Sequence, residues 1–135
     1  MPGQLSTVGA NVALDAVTGR ATQTARTTYL ALLTAAPSDS TTVATMTEVT
    51  TAGYSRQACT FAAPSSDPSI TSNTATITFG PFSADPPNVP YVALVSSASG
   101  TGGDFLAYWT ADVARDAANG ESIQIAAGGL TLSLD

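Results

Sequence analysis

The chain contains no histidine, and of its basic side chains none is lysine. A missing histidine removes Ser-His-Asp and Cys-His nucleophile systems and every histidine-ligated metal centre. A missing lysine removes a Ser-Lys nucleophile pair. Cys59 is the single cysteine, so neither an intrachain disulfide nor a cysteine zinc knuckle can be built. Charge is also scarce: 10 % of residues are charged, where about a quarter is usual. No apolar run approaches the roughly eighteen residues that a membrane helix needs. Residues 1–14 show no basic segment ahead of an apolar stretch, so no signal peptide is expected.

The charge that is present is mostly negative. Ten acidic residues oppose four arginines (Arg20, Arg26, Arg56 and Arg115), a formal charge of −6. Such a chain repels phosphate backbones, which argues against nucleic-acid partners. It also has no basic cluster for an anionic membrane surface. Yet 44 % of its residues are hydrophobic, which separates it from disordered acidic chains. Its 135 residues suit a single core. Serine, threonine and alanine replace the missing charges. They imply a surface of short neutral side chains that pack closely against other protein, or simply the codon usage of a GC-rich genome.

Periodicity divides the chain. Residues 4–18 place Leu5, Val8, Val12 and Ala16 at helical spacing, with Gly19 as a C-cap, and predict the one helix. Gly9 opposes it by about 1 kcal/mol relative to alanine. Residues 20–26 read as a linker. Strands are expected at 27–34, 54–62, 75–79, 89–96 and 104–111, with the last two forming a hairpin around the glycine-rich turn 97–103. Residues 41–51 fit an edge strand or a long loop, and 64–73 a loop. Asn119-Gly120 is a hairpin-type dipeptide. After it Ile123 and Ile125, then Leu130, Leu132 and Leu134, alternate with polar or small residues around Gly128-Gly129, which predicts two paired strands with a buried face. The expected fold is mainly β: an antiparallel β-sandwich or jelly-roll-like domain with a short N-terminal helix. Residues 1–26 form a helix-and-linker arm, and residues 27–135 the β-sandwich domain.

No catalytic constellation stands out, and no cofactor-binding or metal-binding residues are assigned. Asp104, Asp112, Asp116 and Glu121 could in principle pair for glycoside chemistry, but spaced single acids around hairpin loops read as solvated turn residues. Asp112, Asp116 and Asn119 match no EF-hand spacing. Cys59 reads as a small buried hydrophobe. Tyr108 and Trp109 are adjacent and so face opposite sides of a strand; one belongs to the core, and an exposed one could bind sugar or protein.

The segments Gly53-Tyr54-Ser55-Arg56-Gln57, Ile77-Thr78-Phe79 and the closing AGGLTLSLD, within an order of elements spanning nearly the whole chain, resemble a family of small virion structural proteins. These come from tailed phages of actinobacteria and are described as tail-fibre-like, minor capsid or head decoration proteins. The resemblance implies a β-sandwich without enzymatic activity. It also implies a place in the virion, on the capsid surface or the tail, after synthesis in the bacterial cytoplasm. The leading role is that of a decoration or minor capsid protein that stabilises the shell by docking on the major capsid protein, because a receptor fibre usually carries a long shaft and this chain has none; the alternative is a tail-tip or fibre component that binds a host-surface receptor or glycan. Partners are then other virion structural proteins and copies of the chain itself, as a homotrimer. Leu5, Val8, Val12, Tyr54, Arg56 and Trp109 are the expected partner-interface residues.

Overall fold

In a computed structural model, which describes residues 1–65 and 69–134, the chain is mainly β, with antiparallel sheets joined by loops and one short helix. The elements are β1 (Gly3–Leu5), α1 (Thr7–Thr18), β2 (Thr28–Leu33), β3 (Gln57–Cys59), β4 (Ser69–Ser72), β5 (Ile77–Phe79), β6 (Val89–Val95), β7 (Phe105–Arg115), β8 (Ile123–Ile125) and β9 (Thr131–Leu134). A five-stranded sheet runs β1-β7-β6-β2-β3, and two further pairs, β4-β9 and β5-β8, complete a β-sandwich-like arrangement.

The central strands β2 and β6 are buried on both faces, which is why each reads as a continuous apolar run rather than an alternating one. One face (Leu30, Leu32, Val92 and Leu94) meets Ile77, Phe79, Ile123 and Ile125 of the small pairs in the main core. The other face (Ala31, Leu33, Ala93 and Val95) is covered by Val43 and Met46. Residues 41–51, open between strand and loop by sequence, are therefore a loop laid over the sheet. It is shaped by the Thr45 N–H to Thr42 O and Met46 N–H to Thr42 O hydrogen bonds and tied down by Val49 N–H to Leu32 O at 2.9 Å.

β6 and β7 pair as the predicted hairpin, with a register shift between Leu94 and Val95. That bulge breaks the alternation of β7: Phe105 and Tyr108 face the outer side, while Leu106, Ala107 and Trp109 enter the main core. The expectation that the two closing runs pair with each other is corrected. β8 pairs with β5 and β9 with β4, and Gly128-Gly129 carries the chain from one pair to the other. The buried Asn73 side chain holds this crossing. It donates to the carbonyls of Ala75 and Ala126 and accepts from the Leu130 N–H, each at 2.9 Å. The expected buried leucine face also fades along β9: Leu130 is fully buried, Leu132 is half-buried, and Leu134 is 53 % exposed. Within the expected loop 64–73, Ser69–Ser72 forms β4, and positions 66–68 lie outside the described residues.

The helix begins at Thr7 rather than Gln4, because Gly3–Leu5 joins the sheet as β1 against β7. Ser6 stops the strand and caps the helix: its Oγ accepts from Gly9 N–H at 3.0 Å and its own N–H donates to Leu106 O at 3.0 Å. Gly9 lies so close to the Leu106 carbonyl that a Cβ would collide with backbone. Gly19, left-handed at φ 69°, closes the helix as expected.

Candidate interaction surface

Helix α1 presents a mixed face. Val8 and Val12 are half-buried, whereas Leu14 and Val17 are 60 % and 82 % exposed. Leu5, expected on the helix, is half-buried in β1 and packs on the main core.

Tyr54 and Arg56 meet at Glu48. The Tyr54 hydroxyl donates to Glu48 Oε1 at 2.6 Å and accepts from Leu32 N–H at 3.0 Å. Arg56 binds both carboxylate oxygens of Glu48 at 2.8 Å. It also donates to Ser97 O, Ser97 Oγ and Gly100 O at 2.7–3.0 Å. Every guanidinium donor is used, and the side chain is only 4 % exposed. The pair thus clamps the β6–β7 turn to the loop that covers the sheet. Burial first, and then hydrogen bonding to Glu48, raises the Tyr54 pKa; the hydrogen bond to Glu48 raises that of Arg56. Glu48 had no signal in the sequence beyond being a carboxylate near an arginine in a chain with few charges.

Trp109 was expected at an interface and is instead in the core, 1 % exposed. Its indole N–H donates to Thr131 O at 2.8 Å, and its ring stacks on Phe61 with centroids 6.2 Å apart. The reason is the β7 bulge together with the close pass of Gly3, whose register partner is Trp109. Its neighbour Tyr108 takes the outward position. Tyr108 is half-buried, and its hydroxyl donates to Asp39 Oδ1 at 2.7 Å. Register puts Gln4 opposite Tyr108 and Tyr91 opposite Thr110, so these side chains share the outer face. A groove of about 420 Å³ opens there, lined by Gln4, Tyr108, Thr110 and Asp112 along with Pro2 and Gly3.

The acidic residues do not assemble. Asp104 pairs with Arg26 at 3.0 Å, and Glu121 accepts from the Ala118 N–H at 2.9 Å within its turn. Among the described residues no group of three or more histidine, cysteine or acidic side chains could hold a metal ion. Cys59 is buried, which pushes its thiol pKa up to about 11.

What these features define is a β-sandwich-like structural module: its best-organised polar cluster braces loops, and its open features are surfaces. Comparison with protein families agrees. Residues 4–133 match the family described as podophage GP4 fiber I protein gp80, and the chain belongs to that family. No curated protein matches it. The chain is accordingly a phage fibre-type structural protein of the virion. The fibre part of the resemblance seen in the sequence is supported by this match; the actinobacterial and minor-capsid parts are not.

Proposed function

We propose that the protein is a non-enzymatic component of a phage tail fibre or tail tip that binds a receptor or glycan on the host surface. The observation behind this reading is the family match over residues 4–133, whose description names a fibre protein. The alternative, decoration of the capsid by docking on the major capsid protein, draws less support because that description does not mention the shell. Within the fibre reading the partners are other virion structural proteins, and the chain works as a homo-oligomer, a trimer. The exposed Leu14 and Val17 of α1 supply apolar area for such a contact.

Two measurements test it. Purified protein is expected to adsorb to host cells and compete with the phage for them; absence of both overturns receptor binding. Quantitative mass spectrometry of purified virions is expected to find a tail-scale copy number, and a capsid-scale number would restore the decoration role.

A further inference from the structure

We propose that the groove beside Tyr108 is a binding site for a neutral saccharide, with the ring of Tyr108 as its stacking platform and Gln4, Thr110 and Asp112 as its polar contacts. The proposal rests on the fibre reading and assigns the site that this reading leaves unplaced. Sugar rings are amphipathic. Their C–H faces pack on an aromatic ring, while the hydroxyls around the rim need donors and acceptors. The outer face of the five-stranded sheet offers both within one groove of about 420 Å³, inside the roughly 300–1,000 Å³ range of small-molecule sites.

The aromatic part is held ready. The Tyr108 hydroxyl is tied to Asp39 Oδ1 at 2.7 Å, and its ring packs against Phe105 at a centroid distance of 6.2 Å. Little ordering entropy is then lost when a ligand lands on it. The polar part is free. Among the described residues, the side chains of Gln4, Thr110 and Asp112 make no hydrogen bond within the protein, in contrast to Asn73, Glu48 and Arg56. An amide, a hydroxyl and a carboxylate together give donors and acceptors that suit vicinal hydroxyls.

Charge selects among saccharides. Asp112 lines the groove, Asp39 stands at the end of Tyr108, and no arginine lines it. Of the four arginines, Arg20, Arg26 and Arg56 are each engaged by a carboxylate elsewhere. A sialylated, uronic or phosphorylated sugar would bring its anion to an acidic wall without a counter-ion. A neutral hexose or deoxyhexose brings none.

The test uses the full chain. Nuclear magnetic resonance titrations with the methyl glycosides of glucose, galactose, mannose and rhamnose, and with that of N-acetylneuraminic acid, read the signals of Tyr108, Thr110 and Gln4. At least one neutral glycoside is expected to shift these signals together, and the anionic one to leave them unmoved. No shift with any neutral glycoside, or shifts confined to other surfaces, overturns the proposal. Tyr108→Ala is expected to weaken binding about tenfold, as loss of one stacked ring would, and Tyr108→Phe to keep most of it. Thr110→Ala and Gln4→Ala break no internal bond, so they read the site without disturbing the fold; unchanged affinity in both overturns the polar half of the assignment. Asp112→Asn is expected to admit the anionic glycoside, and continued exclusion argues against charge selection. Host-cell adsorption separates the two levels. Wild-type adsorption that survives Tyr108→Ala refutes this site and leaves the fibre reading standing, whereas a wild type that never adsorbs refutes the reading itself.

Discussion

Tyr54 shows how one side chain can couple a covering loop, a sheet and a charge. Its hydroxyl bridges Glu48 and the backbone of β2, and its pKa is raised above the ordinary 10.0, mainly by burial. The folded state therefore favours the neutral phenol. The resulting stability is complete below pH 10.0 and is lost as the pH climbs beyond that value. Ultraviolet titration should show Tyr54 staying protonated above the ordinary phenol range until the protein unfolds. Tyr54→Phe should abolish that lagging step. It should also cost about 1–3 kcal/mol at neutral pH, because the Leu32 N–H loses its acceptor while Glu48 Oε1 keeps only its bond from Arg56. Denaturant titration at neutral and alkaline pH checks both; equal loss of stability with pH in the two proteins would contradict the assignment. The sequence marked Tyr54 and Arg56, and the structure gives them a bracing role through Glu48, which is separated from Arg56 by a turn that no local pattern describes.

At the scale of elements, the helix was legible from its spacing and its glycine C-cap, but its start was not. Leu5 continues the helical period, yet pairing with β7 and the Ser6 cap claim it for a strand. Gly9, which reads as a weakness, is a requirement of packing because the Leu106 carbonyl leaves no room for a Cβ. Gly9→Ala is thus expected to destabilise the protein despite better helix propensity, by about 1–3 kcal/mol as in other overpacked sites. A thermal midpoint that rises instead would mean the helix does not sit on β7. The hairpin β6-β7 was visible in its two apolar runs and glycine turn. The bulge inside it was not, and that bulge decides that Trp109 is core and Tyr108 is surface. The closing strands were likewise found as elements and misjudged as partners, since alternation reports a strand's two faces and carries no information about its edges.

For the whole molecule, the division into an arm at 1–26 and a sandwich at 27–135 meets one observation directly: β1 lies within the five-stranded sheet, and the Met1 carbonyl accepts from Thr131 N–H at 3.0 Å. A fragment of residues 27–135 is expected to unfold at a lower denaturant concentration than the full chain and to associate, because removing β1 bares the edge of β7. A fragment as stable and monomeric as the intact protein would establish the arm as an independent piece. The composition had already set the limits of function. Without histidine or lysine the chain lacks the residues of the Ser-His, Cys-His and Ser-Lys nucleophile systems, and its net charge of −6 argues against phosphate-backbone partners. Those exclusions and the mainly β class follow from residue types and from periods of two and of 3.6, which are properties of neighbouring positions. Which strands meet, which of two adjacent aromatics is buried, and which polar groups end up braced or free depend on contacts between distant parts of the chain. Those were decided only by the tertiary structure, where the bulge opposite Leu94 and Val95 and a short strand of Gly3–Leu5 set the faces of β7 around Tyr108 and Trp109 and left the groove beside Tyr108 open.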